Sequence, residues 1–245
     1  MTRKQYFSSG LKDGMPICFG YFAVSFAFGI QAAGIGLSVF EASVLSALNV
    51  TSAGQFAALA IIASGASLIE LAFTQLIINL RYFLMSCALS QKLSPSLPLG
   101  HRLGIAYRMT DEIFAVSVSQ REPLSPFYSY GLIAVAIPGW VLGTALGAAA
   151  GNILPAVLTN ALGIAIYGMF IAIILPPAKE NRVVAGVVVL SMVLSALFTY
   201  LPVLCNISSG FRIIVITLIT AGGAALLFPI PDEPAEPEKE MPHEG

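Results

Sequence analysis

Long apolar runs follow one another along almost the whole chain, and short polar segments separate them. A helix needs about 17 to 25 mostly apolar residues to cross the hydrocarbon core of a bilayer. Runs of this length cover residues 13–33, 66–89, 125–154, 158–175, 183–201 and 211–228. The pattern therefore predicts an all-α fold, that of a polytopic helical membrane protein.

A further apolar stretch, residues 37–63, is interrupted in its middle by the polar sequence NVTSAGQ. Ser52 and Gln55 have the spacing of a capping box, in which each side chain satisfies an unpaired backbone N–H group at a helix start. A helix start inside an apolar run predicts two half-helices, over residues 38–48 and 53–63. We therefore predict six to seven transmembrane helices, with a broken or re-entrant segment near residues 38–63. The alternative is one continuous helix with a polar packing seam.

The run at 66–89 is apolar but carries several polar side chains, Arg81 among them. At 100° per residue, Glu70 and Arg81 share one stripe of the helix, whereas Asn79 lies near the opposite side. An arginine at this depth costs about 2.5 to 3.5 kcal/mol unless a partner or a water-filled cavity relieves it. Either this helix packs centrally and lines a pathway, or Arg81 snorkels to the headgroups or joins a structural ion pair. The candidates for substrate binding or the pathway are Ser52, Gln55, Glu70, Asn79 and Arg81.

Two carboxylates, Asp111 and Glu112, follow Thr110 at the start of a short apolar run. Thr110 is a favourable N-cap, and acids in the first turn complement the helix dipole, so a surface helix is one interpretation. The other is a carboxylate pair at the inner mouth of the pathway. Under that interpretation, Asp111 and Glu112 are candidates for proton coupling or for an inner gate.

Glycines recur at four-residue spacing in the 125–154 run, at Gly143, Gly147 and Gly151. Such spacing leaves one helix face flat, so that a neighbouring backbone can approach closely. We predict that these glycines form a helix-packing face, either within the chain or against another subunit.

Composition and charge set the class and the orientation. The 245 residues are 57% hydrophobic and only 10% charged, against about 25% charged in soluble domains. Lysine and arginine concentrate in residues 1–12, in a predicted loop over 90–108 and in residues 176–182, all of which the positive-inside rule places in the cytoplasm. We predict a cytoplasmic basic N-terminus over residues 1–12, a single transmembrane domain over 13–228 and a disordered, acidic, proline-rich tail over 229–245.

The chain lacks the residue patterns of common enzymes and metal sites. Its three cysteines show no CxxC spacing. Of its two histidines, His243 lies in the tail, so His101 has no second histidine with which to form a metal site or a catalytic triad. There is no HExxH sequence and no nucleophile elbow. We therefore expect no catalytic residue, no metal site, no cofactor and no enzymatic activity.

Four segments carry a resemblance to a known family: GMPICFGYFAVSFAFG, TSAGQFAALA, LIINLRYFLMSCALS and TDEIFAVSVS. In this order they resemble the AzlC family, the large subunits of branched-chain amino acid exporters. The resemblance implies secondary export of valine, leucine, isoleucine and methionine or analogues across a bacterial inner membrane. It also implies a small AzlD-type membrane protein as partner.

A branched-chain amino acid is a zwitterion with an aliphatic side chain, which sets what its site must contain. Arg81 or the start of the half-helix at Ala53 is a candidate partner for the carboxylate. Glu70, Asp111 or Glu112 is a candidate partner for the ammonium group or the coupling proton. A passive channel and a non-transporting assembly subunit remain the alternatives.

Overall fold

The computed structural model describes residues 2–120, 124–151, 153, 171, 174–202 and 204–229. A π-helical turn over Leu218–Gly222 joins the last two helices. The helices are α1 Arg3–Gly34, α2 Val39–Leu48, α3 Ser52–Ala63, α4 Leu68–Lys92, α5 Leu99–Ala106, α6 Asp111–Val118, α7 Pro126–Gly151, α8 Arg182–Tyr200, α9 Ser209–Thr217 and α10 Gly223–Leu227. Within these residues no strand forms, and one isolated bridge joins Leu93 to Leu124. The predicted all-α class is confirmed.

Five helices of the described part are long and apolar enough to cross a membrane: α1, α4, α7, α8 and the continuous helix over Ser209–Leu227. The predicted span over 158–175 falls almost wholly outside the described residues, and so does the tail beyond residue 229. At the other end, α1 begins earlier than the first apolar run. Thr2 and Gln5 form a capping box there, so the basic residues of 1–12 continue the first helix.

Helices α1 and α7 pack so closely that their backbones touch along the glycine face. A Cβ atom on Gly143 would collide with Ser25 and the backbone of Phe22, and one on Gly147 would collide with the backbone of Phe26. At Gly151 the nearest atom would be the Cβ of Ala33, at 3.1 Å. The glycine face thus lies against α1 of the same chain and is not open to a second subunit.

The interrupted stretch at 38–63 forms two short helices, as predicted. Helices α2 and α3 have 10 and 12 residues, or about 15 and 18 Å, which is too short to span. A tight loop joins α1 to α2, and another joins α3 to α4. Helix α2 therefore runs from one end of the long helices toward their middle, and α3 runs back to the same end. The pair is re-entrant.

The predicted capping box at Ser52 and Gln55 is wrong. The N-cap of α3 is Thr51, and its side chain makes no capping hydrogen bond. The amide of Gln55 is instead fully buried, where it bonds to Ser46 and Trp140. A hydrogen bond in the core is stronger than one at an exposed helix start, because water does not compete for the donor and the acceptor. The Gln55 amide therefore bonds to core partners and not to the backbone of the helix start.

A second re-entrant pair, α5 and α6, enters from the opposite end, where the basic residues of 90–108 predict a cytoplasmic loop. Arg102 near the start of α5 donates to the carbonyl of Ser90 at 2.9 Å, and Lys92 donates to the carbonyl of Val118 at the end of α6, at 2.7 Å. Both contacts lie at the last turn of α4. The expectation of a loop is therefore wrong for residues 99–106, which are helical.

The tips of the two re-entrant pairs meet near the middle of the long helices. The Arg108 guanidinium donates to the carbonyl of Ala47 at 2.5 Å, and the Tyr107 hydroxyl donates to the carbonyl of Leu48 at 3.3 Å. A cation is favourable there, because the C-terminal end of α2 carries partial negative charge. Arg108 thus holds α2 to the tip of α5 and α6 and is not a residue of a surface loop.

Candidate functional site

A pocket of about 360 Å³ opens where the tips of α3 and α6 meet α1, α4 and α7. Its polar lining comes from Ser52 on α3 and from Thr110, Asp111 and Glu112 on α6. The remainder is largely apolar and aromatic. A pocket of this size is at the small end of the range for small-molecule sites.

Arg81 and Asp111 form an ion pair at one wall of this pocket. The guanidinium Nη2 lies 3.0 Å from Oδ2 of Asp111, and the two side chains are 44% and 37% exposed. The Tyr82 hydroxyl joins them, because it accepts from Arg81 at 2.9 Å and donates to Asp111 at 3.2 Å. Arg81 is therefore engaged in an ion pair within the chain. Its partners Asp111 and Tyr82 line the pocket, whereas Arg81 stands behind them.

Glu112 is held differently, by an aromatic side chain of α1. The Tyr21 hydroxyl donates to Oε2 of Glu112 at 2.6 Å and lies 2.5 Å from Oγ1 of Thr110. Thr110 also caps α6, as predicted, by accepting from the N–H group of Ile113 at 3.3 Å. In the part of the chain that the structure describes, Glu112 makes no ion pair. Its carboxylate therefore faces the pocket with an uncompensated charge.

The starts of α3 and α6 present opposite charge to the same pocket. The first turn of α3 contains no acid and receives no side-chain cap, so its first N–H groups have no acceptor among the described side chains and are partially positive. The first turn of α6 contains Asp111 and Glu112. One wall of the pocket thus suits an anion and the other a cation.

An amide cluster fixes the α2–α3 break to α4. Gln75 accepts from the side chains of both Asn49 and Asn79, each at 3.1 Å, and donates to the carbonyl of Gly54 at 2.7 Å. A Cβ on Gly54 would lie 2.8 Å from the Gln75 oxygen, so a larger residue at this position would displace the Gln75 side chain from the cluster. Asn79, which the sequence suggested for the pathway, belongs to this cluster and not to the lining of the pocket.

A second buried chain of hydrogen bonds positions Trp140, which lines the pocket. Trp140 donates to Gln55 at 2.8 Å, Gln55 donates to Ser46 at 2.8 Å, and Ser46 pairs with Thr144 at 2.7 Å. The Trp140 ring also packs edge-on against Tyr21, with ring centroids 5.3 Å apart. Sequence reasoning missed both aromatic residues, although Trp140 is the single tryptophan of the chain.

Replacing Gln55 by leucine is expected to lower the free energy of unfolding by about 2 to 4 kcal/mol. The change leaves the buried N–H group of Trp140 without its acceptor, at about 1 to 3 kcal/mol, and it removes one of the two hydrogen bonds of Ser46, which keeps Thr144 as a partner. The measurement is thermal or denaturant unfolding of the purified protein in detergent. Gln31→Leu is the matched control, because Gln31 is half-buried on α1 and its side chain makes no hydrogen bond within the described part of the chain. Equal stability of the two variants would contradict the prediction.

Glu70 does not join the pocket. It lies 11 residues before Arg81 on α4, or about 17 Å along the helix axis. Its Oε1 accepts from the backbone N–H group of Gly210 at the start of α9, at 2.8 Å. Glu70 and Arg81 do lie on the same side of α4, but at the level of Glu70 this side faces α9.

The described residues hold no group of three or more histidine, cysteine, aspartate or glutamate side chains with the geometry of a metal site. All three cysteines, Cys18, Cys87 and Cys205, are free thiols. The chemistry of the site therefore comes from the ion pair, the carboxylates and the helix starts described above.

Comparisons with known proteins agree with the residue pattern. The model of the AzlC family, described as AzlC protein, matches residues 16–154, which include the whole pocket. An uncharacterized membrane protein of Archaeoglobus fulgidus is 34% identical over 189 residues, which are 76% of this chain and 83% of that protein. The inner membrane protein YgaZ of Escherichia coli K12 is 31% identical over 184 residues, covering 72% of this chain and 75% of its own. No solved structure matches the chain. The chain therefore belongs to the AzlC family, a membrane location follows, and family membership supports a role in membrane transport.

Proposed function

We propose that this protein is a proton-driven secondary carrier that exports branched-chain amino acids, with a small AzlD-type membrane protein as partner. One observation carries the proposal. The uncapped start of α3 and the carboxylate of Glu112, which makes no ion pair among the described residues, face the same pocket, whose remaining lining is largely apolar and aromatic apart from Thr110 and Asp111. A site that offers one positive end, one negative end and apolar walls matches an aliphatic zwitterion.

Each part of the substrate has a chemical counterpart in the pocket. The unpaired N–H groups at the start of α3 and the Ser52 hydroxyl suit the carboxylate, as helix starts do in other carriers. Glu112 suits the ammonium group, since Asp111 is already paired with Arg81. Ile17, Val24 and other apolar lining residues suit the branched side chain.

The two re-entrant pairs supply the structural basis for alternating access. They reach the pocket from opposite ends of the long helices and touch through Arg108 and Ala47. Opening one pair at a time would expose the pocket to one side only, as alternating access requires. A passive pore would need both ends open together, which the contact between the tips opposes. The geometry therefore favours a carrier over a channel.

The positive-inside rule gives the orientation. Arg3 and Lys4 at the start of α1, Lys92 at the end of α4 and Arg182 at the start of α8 belong to the same end of the bundle. We propose that this end faces the cytoplasm, with the N-terminus inside a bacterial inner membrane. The α5–α6 pair then forms the inner gate, and the α2–α3 pair forms the outer one.

Counterflow in vesicles tests the proposed function. Proteoliposomes loaded with unlabelled leucine should accumulate labelled leucine transiently if the protein is a carrier, and a pore would only equilibrate it. The chain is reconstituted with and without the small subunit, and the driven flux is compared with and without a pH gradient. Absence of counterflow in both preparations would overturn the proposed function, and the unused pocket would then favour an assembly subunit.

Replacing Glu112 by glutamine is expected to weaken binding of leucine at least tenfold, because the ammonium group loses its charged partner. The affinity for 4-methylpentanoate, a competitor that lacks the ammonium group, is expected to change less than twofold. The measurement is inhibition of labelled leucine counterflow by both compounds. Glu41→Gln is the matched control, since Glu41 is an exposed carboxylate on α2 outside the pocket. An equal loss of affinity for both compounds would remove Glu112 from the ammonium site.

A further inference from the structure

A second ionisable site lies at the end of the bundle remote from the α5–α6 pair, where α4 and α9 begin. Glu70 is only 5% exposed there, and its carboxylate accepts from the Gly210 N–H group at 2.8 Å. Among the described residues no lysine, arginine or histidine pairs with it. A buried carboxylate with one neutral donor is costly in a membrane unless it has a function there.

The hydroxyl groups around Glu70 lack partners. Thr74 is fully buried, and its Oγ1 makes no hydrogen bond. A Cβ atom on Gly210 would lie 2.5 Å from Oε1 of Glu70 and 2.8 Å from Oγ1 of Thr74, so both oxygens face the same point. The hydroxyls of Ser208 and Ser209, in the same turn of α9, are also buried without partners. Buried polar groups in native proteins are almost always satisfied, so this set needs an explanation.

Glu70 has suitable neighbours in both of its protonation states. As an anion it accepts from Gly210, and the starts of α4 and α9 both favour negative charge. As a neutral acid it would carry an O–H group, and the unpartnered Oγ1 of Thr74, one helical turn further along α4, would be available as its acceptor after a small movement of either side chain. A group that can be satisfied with or without a proton is suited to bind and release one.

The neighbouring elements that the structure describes place no fixed charge against this carboxylate. Helix α3 contains no titratable side chain. On α9 the charged residue is Arg212, whose guanidinium donates to the carbonyls of Ile207 and Cys205. The negative charge of Glu70 therefore has no counter-ion among the described side chains, and a proton is the simplest one.

We propose that Glu70 is the binding site of the coupling proton, separate from the substrate pocket and on the outer half of the carrier. The inference rests on the proposed function. The carboxylate takes one proton from the outer solution and becomes neutral, and the same proton leaves to the inner side after the carrier has changed access. Neutral Glu70 no longer interacts with the start of α9 as an anion, so the contact between α4 and α9 weakens. Helix α4 carries both Glu70 and the Arg81 side of the pocket, which links the proton to the substrate.

Glu70→Gln separates proton binding from substrate movement. Glutamine keeps an oxygen for the Gly210 N–H group but cannot exchange a proton. We expect leucine counterflow to stay within about twofold of the unchanged protein, because exchange of substrate for substrate needs no proton. Accumulation driven by a pH gradient should fall at least tenfold. Unaltered driven accumulation would overturn the inference, and so would an equal loss of both activities.

Two further variants and one ion replacement make the test specific. Thr74→Val removes the acceptor for the protonated form and should lower driven accumulation while counterflow persists. Glu41→Gln changes an exposed carboxylate in the same half of the protein and should alter neither activity. All fluxes are repeated with choline in place of sodium. A sodium-dependent flux that Glu70→Gln abolishes would overturn the assignment to a proton.

Infrared difference spectroscopy detects the proton without any transport. Spectra of the purified protein at acidic minus alkaline pH should contain a carboxylic acid C=O band that Glu70→Gln lacks and Glu41→Gln retains. Identical spectra for Glu70→Gln and the unchanged protein would overturn the inference even if transport is normal. If no substrate is transported at all, the proposed function fails, and this measurement still decides whether Glu70 binds a proton.

Discussion

Replacing Arg81 by alanine is expected to reduce amino acid efflux at least tenfold while the amount of protein in the membrane stays normal. Arg81 neutralises Asp111 through an ion pair of 3.0 Å and also donates to Tyr82, which lines the pocket. Without it, Asp111 and Glu112 leave two unbalanced negative charges beside the pocket, where one was present before. The site then no longer offers the balanced charges that a zwitterion requires. The effect on binding is large because the effective dielectric constant of such a site is far below that of water.

Efflux from cells loaded with a valine-containing dipeptide measures the effect, and immunoblotting of membranes measures abundance. Arg3→Ala is a matched control, since Arg3 and Arg81 each stack over an aromatic ring, at 5.3 Å and 4.8 Å from the ring centroid. Of these two arginines, Arg81 also makes an ion pair with another described residue, and Arg3 makes none within that part of the chain. Normal efflux by Arg81→Ala would remove the guanidinium from the mechanism.

The double variant Arg81→Gln with Asp111→Asn separates charge balance from a specific role of the pair. Removing both partners adds no uncompensated charge to that of Glu112, so the double variant is expected to be at least as stable as Arg81→Ala. If the pair serves only the fold, efflux should return. We expect it not to return, because Asp111 and Tyr82 line the pocket that must rearrange with the substrate.

Hydrophobic pattern predicted the long helices because it is a property of each segment alone. Apolar runs such as 66–89 must be buried or lie in lipid wherever they pack, and the break near Asn49 is visible because polar residues interrupt such a run. The α5–α6 pair was not predictable in this way. Each of its helices has eight residues, and basic residues and prolines surround them, which resembles a surface loop.

The partners of the polar side chains depend on long-range contacts that a single sequence does not contain. Ser52 and Gln55 fit a capping pattern, yet Gln55 bonds to Trp140, 85 positions further on. Asp111 and Arg81 were separate candidates, and only the fold brings them to 3.0 Å. Glu70 shares a helical stripe with Arg81, but the packing of α9 gives it a different environment. Sequence thus identified most of the polar residues that matter, whereas their grouping required the structure.

Replacing Gly147 by alanine is expected to reduce the amount of folded protein in the membrane at least fivefold. Helices α1 and α7 touch along their backbones at this level, and the new Cβ would overlap the carbonyl of Phe26. No side chain can rotate away to relieve that contact, so the two helices must separate, and overpacking of this kind costs typically 1 to 3 kcal/mol or more. The separation would also disturb the pocket, since Tyr21 and Trp140 lie on the same two helices. A loss of stability of this size lowers cellular abundance because more of the protein is unfolded and degraded.

Gly34→Ala is the matched control. Gly34 lies on α1, the helix that Gly147 of α7 contacts, and no described atom lies within 4 Å of its Cβ position. Membrane abundance and the size-exclusion profile in detergent are measured for both variants. Since alanine has the higher helix propensity, Gly34→Ala should be as abundant as the unchanged protein or more so. Equal abundance of the two variants would mean that α1 and α7 are less closely packed in the membrane than their backbone contacts indicate. A selective loss with Gly147→Ala would instead show that the glycine face holds together the two helices that carry Tyr21 and Trp140.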